Sequence, residues 1–246
     1  MRITLHPAFV LHSRPYRETS VLLDLFTHEH GRIAAIAKGV RQSKSRLKSL
    51  LQPFVPVLIS WYGKGELATL ISAESNGHQT RLSGECLFSG LYINELLMRV
   101  LPKFDPQPNL YTIYQNTLIE LQSEILQQKT LRLFEKKLLA ELGYGLPLYH
   151  DVSTQSGFAE EKYYRFHHEH GFELYEDSNN TIANIFSGKS LLAFAREQLE
   201  DEICLRDAKR LIRLALSPLL GQYQLNSRKL YSQAYRPNEN NEVETE

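Results

Sequence analysis

Over the first 75 residues the apolar positions come in short runs with a period of two. Residues 8–11 form one run, closed by Ser13-Arg14-Pro15. Residues 19–27 form a longer one, β-branched or aromatic at many positions, and residues 32–38 a third. Residues 54–62 alternate around Pro56, which lacks an amide hydrogen and so favours an edge or a strand start. Residues 67–73 alternate again, with Leu67, Thr69, Ile71 and Ala73 on one face. Successive side chains of a strand point to opposite faces. The pattern therefore predicts five short strands, and with Gly, Pro and polar turns between them a small barrel or sandwich.

From about Gly84 the period lengthens. Residues 85–101 are apolar on most sides and predict a buried helix. Pro102, Pro106 and Pro108 end it, and residues 110–127 predict a second helix. Thr130 reads as the N-cap of a third, striped by Leu131, Phe134, Leu138 and Leu142 and stopped at Gly143. Residues 162–167 and 171–176 read as a hairpin turning at His168-Glu169-His170-Gly171. Helices follow over 189–200 and 203–216. The polar, acidic stretch 239–246 reads as disordered. No internal repeat is found. The expected fold class is α+β: a strand domain over 1–80, a mainly helical domain over 81–236 and a tail over 237–246.

Charge changes this picture locally. The 246 residues carry 28 basic and 28 acidic side chains, so attraction to a polyanion requires a patch. Residues 30–65 contain no Asp or Glu but hold Arg32, Lys38, Arg41, Lys44, Arg46, Lys48 and Lys64, with Phe54, Trp61 and Tyr62 among them. Cations beside aromatic faces suit a single-stranded nucleic acid, whose phosphates pair and whose bases stack. The plain alternative is a solvated loop that keeps a strand edge soluble. Trp61 either stacks on a base or fills the core.

Other candidate chemistry is thin. Ser187-Gly188-Lys189-Ser190 ends like a phosphate-binding loop, but the required upstream glycine is Ala183, so an ordinary helix start is favoured. His167, His168 and His170, with His150 and Asp151 upstream, are suitable metal ligands by type. Their tight spacing puts them on alternating sides of a turn, and a solvated hairpin is favoured. Arg206, Arg210 and Arg213 lie at helical spacing, either as a charged outer face or as a second phosphate track. Cys86 and Cys204 are too few for a disulfide framework or a multi-cysteine zinc site. No secretory h-region and no run of about 18 apolar residues is seen. No cofactor, no metal and no membrane association are expected, and nothing demands catalysis.

Residues 8–54 (AFVLHSRPYRETSVLLDLFTHEHGRIAAIAKGVRQSKSRLKSLLQPF), WYGKGELATL at 61–70 and DAKRLIRLALSPLLG at 207–221 followed by SRKLY strongly resemble the RecO family of bacterial recombination mediators. The resemblance runs over nearly the whole chain. It implies an OB-fold barrel, then a helical domain with a small zinc-ribbon-like insertion at about 147–180. Many members carry four zinc cysteines there, and this chain has none between Leu148 and Tyr175, so its Tyr and Phe residues are expected to hold that hairpin. The resemblance implies a non-enzymatic, cytoplasmic, nucleoid-associated protein of the RecFOR pathway, a monomer alone. It would bind single- and double-stranded DNA, anneal complementary strands and, with RecR, promote RecA loading on strands coated by single-stranded-DNA-binding protein.

The expected DNA-binding residues are Arg14, Arg17, Arg32, Lys38, Arg41, Lys44, Arg46, Lys48, Trp61 and Lys64. An acidic, apolar partner tail needs a hydrophobic groove rimmed by cations. Leu131, Arg132, Leu133, Phe134, Lys136 and Lys137 are the candidates, with ordinary core and rim as the alternative. An RNA-binding module of the translation machinery and a metal-dependent nuclease are the rival functions.

Overall fold

The computed structural model describes residues 2–63, 65–77, 80–123, 127–152, 155–176 and 183–235. The chain divides into two compact units, residues 1–124 with 223–246, and residues 125–222.

In the first unit, strands β1 (Arg2–Tyr16), β2 (Ser20–Thr27), β3 (Gly31–Ala37), β4 (Pro56–Tyr62) and β5 (Ala68–Ser75) close into a barrel in the order β1-β2-β3-β5-β4. The seam is a short parallel pairing of β3 with β5, Ala35 to Ala68 and Ile36 to Thr69. β1 is far longer than the run at 8–11 implies. Its first half pairs with β4 and its second with β2, and it bends at irregularities between Ile3 and His6 and between Val10 and His12. Alternation holds well in β3, where Ile33, Ala35 and Ala37 are buried and Arg32, Ala34 and Ile36 are half-buried. Leu23, Leu25, Ile59, Trp61 and Leu70 join them in the barrel core. Pro56 takes the first position of β4, where its missing amide hydrogen is tolerated.

Phe9 and Phe26 are buried outside that core. They meet Tyr111 and Tyr114 of helix α3 (Pro108–Glu120) at centroid distances of 5.1–6.1 Å. Helix α2 (Gly84–Val100) contributes buried Asn94, whose amide donates to Leu11 O at 2.9 Å and accepts from the Tyr114 hydroxyl at 2.7 Å. A short helix, α1 (Leu47–Leu50), and a C-terminal helix, α7 (Asn226–Tyr235), were not expected from the sequence pattern. α7 packs against α2, with Glu95 accepting from the first two amides of α7.

The second unit holds helices α4 (Gln127–Glu141), α5 (Gly188–Ala195) and α6 (Glu202–Leu220) and strands β6 (Tyr163–His167), β7 (Gly171–Tyr175) and β8 (Ile185–Ser187). Thr130 lies inside α4 and is buried, so it is not an N-cap. The expected fold class needs correction here. A zinc-ribbon-like insertion is overturned: among the described residues no three His, Cys, Asp or Glu side chains are grouped to hold a metal. The segment is a three-stranded sheet in the order β7-β6-β8, and its third strand lies beyond the expected hairpin. Aromatic packing holds it, with Phe158 4.8 Å from Tyr164 and 5.4 Å from Phe172, and Phe166 5.2 Å from Phe172.

Candidate nucleic-acid interface

The basic loop between β3 and α1 is shaped by three apolar anchors. Val40 is buried in the barrel core, and Leu47 and Leu50 pack against it. Between these anchors the backbone makes successive tight turns, with Gln42 N donating to Gly39 O and Ser45 N to Gln42 O. Lys38, Arg41, Lys44, Arg46 and Lys48 are left exposed. Arg41 fixes this loop to the β1–β2 turn: its amide donates to Thr19 O at 2.9 Å and its Nη1 to Arg17 O at 3.0 Å. Arg17 and Arg14, both exposed, thereby join the same end of the barrel. Seven cations from two segments share one end, with no ion pair formed by any of them among the described residues.

An apolar strip adjoins them on the outside of the barrel. Arg14 is opposite Leu22, Leu22 opposite Ile36 and Ile36 opposite Thr69. Leu22, Ile36 and Thr69 are half-buried, and Ile71 and Tyr62 are exposed. Flat, sequence-tolerant contact with bases is what such a surface can supply. Sequence reasoning sets Tyr62 among the aromatics beside the cations but not among the expected DNA-binding residues, and it misses the strip. Strand parity would have found them, because Tyr62 must face opposite to Trp61.

Several expected site residues are committed elsewhere. Trp61 is 6% exposed within the barrel core, so it offers no face at the surface. Arg32 donates from Nε to Leu101 O at 3.1 Å and pairs with Asp24 at 3.6 Å; it tethers the segment after α2 and is not a free cation. Lys64 lies outside the described residues, as does the tail at 237–246.

The second basic track is also divided. Arg206 and Arg213 are exposed. Arg210 donates to Ile185 O, pairs with Asp207 at 3.2 Å and lies 4.5 Å from the Phe186 ring, so it holds α6 to β8.

The expected partner-tail set folds largely inward. Leu131 and Phe134 are core, and Arg132 is 5% exposed and paired at 3.1 Å with the fully buried Glu135. Lys136 donates to Phe194 O, Ala195 O and Glu197, closing the C-terminal end of α5. Only Lys137 is exposed and Leu133 half-exposed. The reason is the wide apolar stripe of α4, which claims Leu131, Phe134 and Leu138 for the core.

The motifs set aside behave as ordinary structure. Ser187 caps α5 by accepting from Ser190 N, and Lys189 pairs with Asp201 at 3.1 Å. His167 sits 3.2 Å from Glu173 across the hairpin. Among the described residues no helix is long and apolar enough to cross a membrane.

Comparison with known proteins covers both units. The family model described as Recombination protein O N terminal matches residues 1–77, and Recombination protein O C terminal matches residues 81–229. A DNA repair protein RecO of Coxiella burnetii (strain RSA 493 / Nine Mile phase I) is 47% identical over 229 residues, 93% of this chain and 98% of the relative. Those of Nitrosococcus oceani and Haemophilus influenzae (strain 86-028NP) are 44% identical over 238 residues and 43% over 233. They cover 96% and 95% of this chain and 96% and 98% of the relatives. Matched along both halves at such identities, the chain belongs to the RecO family.

Proposed function

We propose that this protein is a non-catalytic recombination mediator of DNA repair, which holds DNA on the basic end of its barrel so that complementary strands can pair. Family membership supports the role in repair. The observation that carries the DNA assignment is the set of seven exposed cations joined through Arg41. Two strands repel each other through their phosphates, and neutralising one strand lowers that barrier to annealing. Cooperation with RecR, and loading of RecA on strands coated by single-stranded-DNA-binding protein in the cytoplasm at the nucleoid, belong to the same proposal. For the acidic tail of that coating protein, the α4 surface still open is Leu133 and Lys137.

The test is salt-dependent binding of a single-stranded oligonucleotide. If Lys38, Arg41, Lys44, Arg46 and Lys48 each neutralise one phosphate, they contribute a slope of about −3.5 in log affinity against log salt, or about 100-fold between 50 and 200 mM. Changing all five to Glu should remove that slope and abolish annealing, while stability falls by no more than the worth of the exposed Arg41–Arg17 O bond, about 0.5–1.5 kcal/mol; Arg41→Lys with the other four changed to Glu serves as the milder variant. Unchanged affinity and slope would reject the assignment.

A further inference from the structure

At the end of the barrel away from the basic loops lies a cavity of about 210 Å³, lined by Ile3, His30, Ile33, Trp61, Ala68 and Phe104, with the loop glycines Gly63 and Gly65 at its side. Its size is informative. An apolar protein cavity of about 150 Å³ takes up benzene, so this one has room for a single planar ring. Its walls are suited to a ring. The Trp61 indole is met edge-on by His30 at 5.4 Å and by His6 at 5.9 Å, and half-exposed Phe104 also lines the cavity.

The polar groups narrow the choice of ring. Trp61 is 94% enclosed, and among the described residues nothing accepts from its indole N–H, which still touches solvent. A tryptophan N–H ordinarily finds a partner once it is shut off from water. The ring nitrogens of His30 are likewise without a hydrogen bond among the described residues; only its backbone amide is engaged, with Thr27. His6 differs, since its Nε2 accepts from Glu29 N at 3.1 Å. A hydrocarbon ring would leave the indole donor unsatisfied, whereas a heterocycle with acceptors and donors on its edge would satisfy both groups. Nucleobases are such heterocycles, and they reach this protein on the strand already assigned to the barrel.

We infer that this cavity captures one unpaired nucleobase, with the Trp61 N–H and the His30 ring reading its edge. The inference rests on the DNA-binding reading above. It gives the barrel two unlike sites: a basic end that holds phosphates of any strand, and a ring-sized slot that admits a base only when it is unpaired.

Trp61 is the sole tryptophan, so its emission reports on this slot. Two labelled single strands of equal length would be compared, one fully abasic and one carrying a single thymine among abasic sites. Anisotropy reads binding and tryptophan emission reads the cavity. The thymine strand should bind at least about fivefold more tightly, the lower end for one stacked base, and it alone should alter the emission. Ile3→Phe, which fills the slot, should abolish both differences, and His30→Ala, at a half-buried position, should reduce them if the first variant misfolds. Equal emission changes with both strands would overturn the proposal, as would unchanged emission while both strands bind. The second result leaves the DNA reading intact and points to another occupant, such as a partner's aromatic side chain. Binding of neither strand would reject the DNA reading, and the slot proposal with it.

Discussion

Phe88 meets Tyr231 and Arg228 lies over Tyr92 between α2 and α7, but the start of α7 is held by one carboxylate, and the strength of that hold can be worked out. Glu95 Oε1 accepts from the Tyr223 hydroxyl at 3.0 Å and Asn226 N at 2.8 Å; Oε2 accepts from Ser227 N at 2.8 Å and Ser227 Oγ at 2.7 Å. Partial burial pushes the Glu95 carboxyl up, but the donors from Ser227, Asn226 and Tyr223 outweigh it, and the group is held below its ordinary value. Glu95→Gln keeps the shape but turns one oxygen into an amide nitrogen, which cannot accept from Ser227. Two hydrogen bonds at about 0.5–1.5 kcal/mol each, with some loss of the charge–dipole interaction at a helix start of about 0.3–1 kcal/mol, give about 2 kcal/mol. That is about a 30-fold increase in opening. Amide hydrogen exchange over 226–235, referred to the interior of α2, reads it directly. The pH arm supplies a sign. A carboxyl depressed in the folded state contributes its full stability above its unfolded value, and that stability is lost as pH falls through the folded one. Protection of α7, corrected for intrinsic exchange, should therefore decline below about pH 4.5 in the parent, and the Gln variant should lack that step. Exchange in the variant within threefold of the parent, or a retained step, would refute the latch.

Three further outcomes follow from the same unit. Asn94→Ala strands the buried Tyr114 hydroxyl and Leu11 carbonyl, at about 1–3 kcal/mol each; denaturant titration should show a loss of about 2–5 kcal/mol. Gly31 has φ +63°, and an added Cβ would lie 2.0 Å from Asp105 O, so Gly31→Ala should lower the melting temperature by several degrees at about 2–4 °C per kcal/mol, measurable by calorimetry. Tyr62 is half exposed, so Tyr62→Ala should leave stability within about 0.5 kcal/mol while weakening single-strand binding by about fivefold or more, a split that anisotropy and thermal melting together resolve.

Local periodicity made much of the barrel legible. β2 and β3 fall within a residue or so of the expected runs, because one face of each meets the core and the other does not. It failed at β1, where consecutive residues 8–11 are all buried. Ala8 and Val10 face the barrel core while Phe9 faces the Tyr111–Tyr114 pair, so both faces are covered and no alternation survives. It failed at β8, where three residues complete a sheet begun 22 residues earlier. The pattern also missed α7, whose partners Phe88, Tyr92 and Glu95 lie more than 130 residues away.

The site shows the same division. A run of cations without acids marks the basic loop at once, yet composition cannot sort those cations, because what distinguishes them is a partner distant in sequence. Arg32 and Arg41 look alike nine residues apart. Arg32 reaches a carbonyl 69 positions downstream and is drawn into the fold, whereas Arg41 uses one Nη to reach Arg17 O, 24 positions upstream, and remains exposed. Parity separates Trp61 from Tyr62 in the same way: neighbours in the chain, they stand on opposite faces of one strand. On the proposed DNA-binding reading, Tyr62 would be available to any base passing over the surface and Trp61 to one only through the cavity, so single-strand affinity and tryptophan emission should respond to different substitutions.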